Sequence, residues 1–144
     1  MTNDLVCIVY YSNARSPFDT AALSQLLETS RRNNSACNVT GMLLFHDGNF
    51  IQALEGPRAE VQRVFERIKR DRSHGGIVAV GPMEIGQRYF PDWSMGVLTE
   101  RFLTPTGRNT VGDFLRCKAS ADADPSSIAW RLLNCFREGA ARST

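Results

Sequence analysis

Tyr10 and Gln52 stand out among the residues able to do chemistry. A phenol can give up an electron and a proton together. A primary amide carries an acceptor at one end and two donors at the other, so turning it over reverses its hydrogen-bond polarity without moving a charge. Gln52 interrupts an apolar strand face that it shares with Phe50 and Leu54. An amide buried there without partners would cost roughly 1–3 kcal/mol, so something polar is expected beneath that face. Further polar groups are Asn33-Asn34 after a helical stretch, Arg67 and Asp71 four apart on another, and His74 just beyond it. Trp93 and Met95 share one face of a late strand. Each has an ordinary structural role as its alternative. Tyr10 suits a strand core, Gln52 a solvated sheet face, and Asn34 a helix end. Arg67–Asp71 suits a surface pair, His74 a helix end, and Trp93 and Met95 a core. Four cysteines (Cys7, Cys37, Cys117, Cys135) form no C-x-x-C pair and only two histidines are present, which argues against a metal site.

The elements that must position these groups read clearly. Residues 39–46 and 49–54 are β-prone runs joined by Asp47-Gly48, a strong hairpin signal because a type I′ turn needs positive φ at both central residues. Pairing outward from the turn sets Phe45 opposite Phe50, Leu43 opposite Gln52 and Gly41 opposite Leu54. Residues 5–12 (LVCIVYYS) form a strand apolar on both faces, hence internal to a sheet. Val6, Ile8, Tyr10 and Ser12 share one face, and Leu5, Cys7, Val9 and Tyr11 the other.

A helix is expected after N-cap Asp19, with a Phe18–Leu23 staple and a Leu23, Leu26, Leu27 stripe, ending near Arg32. Pro57 fits the first turn of a second helix, on which Val61, Val64, Phe65 and Ile68 repeat at i, i+3, i+4 and i+7. Residues 77–85 make a strand that Pro82 breaks late or confines to an edge, and residues 93–101 a fifth strand. The order β-α-β-β-α-β plus one strand predicts an α+β, ferredoxin-like arrangement, with both helices on one face of a mixed sheet. Residues 104–109 read as a linker dividing a domain, 1–104, from a helical extension, 105–144. Two apolar patterns in that extension, Val111, Phe114, Leu115 and Ile128, Leu132, Leu133, Phe136, need burial against the sheet's open face or a partner chain.

A 42% hydrophobic and 22% charged composition places the chain among globular proteins. A net charge of +2 is too weak to argue for nucleic acid. No run approaches membrane-spanning length and no basic, then apolar, leader opens the chain, so a cytoplasmic protein with reduced thiols is expected.

Five separated motifs, VYYS with Tyr10, RRNNSACNVTG with Asn33 and Asn34, FIQALEG with Gln52, ERIKRDRSH with Arg67 and Asp71, and RYFPDWSM with Trp93 and Met95, together resemble a BLUF domain, the flavin-based blue-light sensor module. The resemblance implies a flavin, FAD with FMN as the alternative, between the two helices with its ring edge toward the sheet. Asn34 would bond the ring's polar edge and Arg67 and Asp71 its carbonyl and imide side. Asn33, Ile68 and His74 are further cofactor-binding candidates. Tyr10 would donate an electron and then a proton, with Gln52 bridging. The Gln52 amide would be left rotated or tautomerised, with a red shift in absorption. Trp93 and Met95 would exchange contacts and pass the change to the C-terminal helices.

Tyr11, a second tyrosine where many relatives carry a small or polar residue, departs from the pattern, and points away from Tyr10. Residues after 104 match no output enzyme. The resemblance is therefore to the short class, a non-enzymatic sensor acting by self-association and through a separate effector protein. Two rivals predict other behaviour. An acylphosphatase-type hydrolase needs a glycine-rich anion loop after the first strand, and YSNARSP has Arg15 but no glycine. A protein-interaction adaptor would bind its partner equally in dark and light.

Overall fold

The computed structural model describes residues 4–14, 20–46, 49–71, 74–91, 95–98, 109 and 125–143. Strands β1 (Leu5–Ala14), β2 (Thr40–His46), β3 (Asn49–Pro57), β4 (His74–Glu84) and β5 (Gly96–Leu98) form one sheet in the order β4-β1-β3-β2-β5. Helix α1 (Thr20–Ala36) connects β1 to β2, and α2 (Arg58–Arg70) connects β3 to β4. The first four strands pair antiparallel, and β5 joins β2 in parallel. This is the expected α+β, ferredoxin-like order. The fifth strand is described over three residues only; Trp93 and residues 99–101 lie outside the described residues.

The hairpin register is the one its flanks dictate: Phe45 faces Phe50, Leu43 faces Gln52 and Gly41 faces Leu54. Its Asp47-Gly48 turn lies outside the described residues. β1 is flanked by β3 and β4, so both its edges are paired. Val6, Ile8 and Tyr10 join Leu43, Phe50 and Leu54 in a core under α1 and α2. Cys7, Val9 and Tyr11 join Met42, Leu44, Ile51 and Ala53 in a second core on the opposite face.

Helix α3 (Pro125–Ser143) closes that second core with Ala129, Leu132, Leu133 and Phe136, all fully buried. Of the two covers foreseen for this apolar stripe, the sheet's own open face is the one used. The helical pattern at Val111, Phe114 and Leu115 lies outside the described residues, as do the Asp19 cap, Phe18 and all of the linker but Asn109.

Several boundaries differ from expectation, β1 and β3 among them, which run on to Ala14 and Pro57. α1 runs to Ala36 rather than Arg32, so Asn33 and Asn34 are helical. The left-handed residue after the helix is Asn38, with φ of 58°, a conformation asparagine tolerates at helix ends. Pro57 is the residue before α2 rather than in its first turn, with extended ψ of 139°. β4 begins at His74, three residues early, and lies at the sheet edge, where Pro82 costs no ladder bond.

Candidate functional site

Tyr10 and Gln52 are direct partners in the β1–β3 register, on the face that α1 and α2 cover. Both are nearly sealed from solvent, at 4% and 5% exposure. The Tyr10 hydroxyl donates to the Gln52 Oε1 atom. Gln52 Nε2 in turn donates to the Met95 thioether at 3.3 Å. Sulfur is a weak acceptor, so the amide nitrogen is only loosely committed. The buried amide therefore lies between a phenol and a sulfur, in a line from β1 to the segment entering β5.

Burial, together with the negative charge of Asp71, pushes the Tyr10 phenol above its ordinary range and keeps it protonated at neutral pH. Phe65 from α2 packs on it, ring centroids 5.5 Å apart.

A narrow cleft of about 40 Å³ lies beside this pair. Its apolar walls are Leu26, Leu43, Phe50 and Ile68; its polar groups are Tyr10, Ser12, Ser30, Gln52 and Asp71. On α1, Leu26, Ser30 and Asn34 recur every four residues and so share one face. Asn34 is buried in the last turn, at 2% exposure, and its backbone carbonyl accepts from Val39 N at 2.8 Å. Apolar walls around a polar rim suit a flat heteroaromatic ring, and the weakly engaged Gln52 amide offers such a ring a donor. The residues present fit a flavin.

Not every sequence candidate gathers there. Asp71 is not on the helix with Arg67; it caps α2 from extended backbone (φ −71°, ψ 124°) and reaches the cleft from below the last turn. Arg67 is exposed on α2 and does not line the cleft, and Asn33 is half-buried one step round α1 from Asn34. His74 opens β4, its side chain outside what is described, and Trp93 is likewise outside. No group of three or more potential ligands capable of holding a metal occurs among the described residues.

Two features had no sequence signal. Glu55 is a fully buried carboxylate on the α3 side of β3. It accepts from Tyr89 N at 2.7 Å, Phe90 N at 2.6 Å and Thr40 Oγ1 at 3.0 Å. Arg88 completes the knot, donating to Thr40 Oγ1 at 2.9 Å and to the Asn38 carbonyl at 2.8 Å. Burial raises the Glu55 carboxyl above the ordinary range, against the lowering effect of these donors and of Arg88. The second is Arg31 of α1, whose Nε donates to the Met95 backbone carbonyl at 2.9 Å.

The family model described as "BLUF: Sensors of blue-light using FAD" matches residues 5–96. Photoactivated adenylate cyclase subunit beta of Euglena longa is 33% identical over 100 residues, 69% of this chain and 12% of that protein. The blue light- and temperature-regulated antirepressor BluF of Escherichia coli (strain K12) is 32% identical over 74 residues, 51% of this chain and 18% of that protein. The chain thus corresponds to a small part of these relatives. The solved structure of BlrB, a BLUF protein in its dark state, superposes with a TM-score of 0.73 at 28% identity and covers 100% of both chains. The photo-activated state of BlsA has a TM-score of 0.75 at 22% identity over 92% of this chain and 94% of that one, a likeness of fold. The family match runs from β1 into β5 and takes in every strand that carries the phenol–amide–thioether line; this chain belongs to the BLUF family, the sensors of blue light that use FAD.

Proposed function

We propose that this chain is a flavin photoreceptor module whose switch is the Gln52 amide and whose proton donor is Tyr10. Flavin, FAD or FMN, supplies blue-light absorption and, once excited, an acceptor for one electron and one proton. The chain's residues do the rest. Leu26, Ile68 and Phe50 would hold the ring, and Asn34 and Asp71 would supply polar contacts to it.

The proton on Tyr10 Oη points at the Gln52 amide oxygen, which is the path by which it leaves and comes back. Electron and proton both return, so nothing is consumed. What persists is the amide turned end for end, or tautomerised, with its donor no longer on Met95. Two orientations of one neutral group differ little in energy, which suits a reversible signal. The observation that carries this reading is the continuous line Tyr10–Gln52–Met95.

Residues 1–104 form the sensing unit in this reading, and residues 105–144 an extension, without steady-state turnover of their own, whose helix α3 lies on the sheet's other face. Output passes through Met95, with Trp93 beside it in sequence, to that extension and from there to self-association or an effector protein. Light-regulated cyclases among the relatives favour a partner of that signalling kind. No described helix is long and apolar enough to cross a membrane, in keeping with a cytoplasmic module.

The test is an absorption spectrum of the purified protein before and after blue illumination. A yellow protein with a small red shift that reverses in the dark is expected. A protein that takes up no flavin, or that bleaches without a red-shifted product, refutes the reading.

A further inference from the structure

We infer that Arg31 is a positioning residue for the switch: its guanidinium clamps the Met95 backbone and so sets how long the turned state of Gln52 persists. The inference rests on the Gln52 switch proposed above. Met95 is held at three points. Arg31 Nε donates to its carbonyl at 2.9 Å, Gln52 Nε2 donates to its sulfur at 3.3 Å, and its neighbour Gly96 opens the β5 ladder opposite Met42. Its side chain is sealed in the core at 2% exposure. Arg31 comes from α1, 64 residues away in sequence, so the clamp ties the segment entering β5 to a helix that walls the cleft.

The clamp favours one amide orientation. With Nε2 toward Met95, the amide offers N–H to a sulfur lone pair. Turned end for end, it presents a carbonyl oxygen to the same sulfur, and two lone pairs then face each other. Met95 must draw back from that contact. Arg31 opposes the withdrawal, because a charged donor on the Met95 carbonyl is among the stronger hydrogen bonds a surface side chain makes. Arg31 thereby favours the orientation seen here and hastens return to it.

The experiment measures the dark decay of the red-shifted absorption in wild type, Arg31→Ala, Arg31→Lys and Arg32→Ala, all loaded with flavin. Arg32 is exposed on the next position of α1 and controls for loss of one positive charge. Removing one charge-assisted bond made in only one of two states should slow decay by about three- to tenfold in Arg31→Ala. Arg31→Lys, which keeps the charge but not the planar fork, should fall between it and wild type, and Arg32→Ala should match wild type. Should Arg31→Ala fail to hold flavin, Arg31→Lys carries the test on its own. Wild-type decay in Arg31→Ala, or equal slowing in Arg32→Ala, overturns the clamp while leaving the photosensor reading intact. Absence of any red shift in wild type overturns both.

Discussion

Tyr10 and Gln52 are a directly opposed antiparallel pair whose side chains meet on the helix-covered face, the hydroxyl donating to the amide oxygen. Neither partner can lean away without disturbing the ladder, because each sits in an interior strand. The sheet therefore fixes the phenol beside the amide, and the amide's nitrogen end is left to Met95.

Tyr10→Phe keeps the ring packed on Phe65 and removes only the hydroxyl. Flavin should stay bound, and the red-shifted product should be lost, as read in a light-minus-dark difference spectrum. An unaltered photocycle would remove Tyr10 from the donor's role.

Glu55→Gln probes the knot on the opposite face. A carboxyl raised in the folded state binds its proton more tightly there than in the unfolded chain, so its contribution to stability is fully present at acid pH. That contribution is lost as pH rises through the folded value. Urea midpoints of wild type should fall, relative to those of Glu55→Gln, as pH rises from the ordinary carboxylate range through the folded pKa. Parallel curves would mean that the donors from Tyr89, Phe90 and Thr40 fully offset burial.

Gly41 has no room for a side chain. A Cβ there would sit 2.1 Å from the Ala53 carbonyl oxygen, a backbone atom, and 3.4 Å from the Met95 methyl. Gly41→Ala should force β2 and β3 apart and cost on the order of 1–3 kcal/mol by urea denaturation. Stability equal to wild type would contradict the β2–β3 approach described here.

Phe136 is fully buried in α3 against the second core. Phe136→Ala should cost about 3–5 kcal/mol in unfolding free energy. Flavin uptake by the folded fraction should persist, since the cleft lies across the sheet. Loss of binding in protein that circular dichroism shows to be folded would tie the two faces together more closely than their packing implies.

Much of this was legible in the sequence because it was local. Asp47-Gly48 fixed the hairpin register, and strict alternation assigned Tyr10 and Tyr11 to opposite faces. The four-residue spacing of Leu132 and Phe136, with Leu133 beside them, marked the stripe of α3. What escaped was set by distant partners. Nothing near Arg31 announces Met95, and Glu55 reads as a solvated charge until the Tyr89 and Phe90 amides close over it. Asn33-Asn34 suggested a helix end, yet the chain stays helical to Ala36, because Asn38 and not its neighbours takes the left-handed turn. Asp71 and Arg67 have helix spacing, but α2 ends between them, so only Asp71 turns toward the cleft.

The alternation along β3 has one more result. Ile51 and Ala53, the immediate neighbours of Gln52, belong to the core that α3 covers, whereas Gln52 itself belongs to the other. Photochemical side and outward-facing helix are thus separated by a single layer of backbone. In the switch proposed above, a tilt of the polypeptide at Gln52 would lift or lower the floor on which α3 rests, giving news of illumination a route straight through the sheet as well as around its edge.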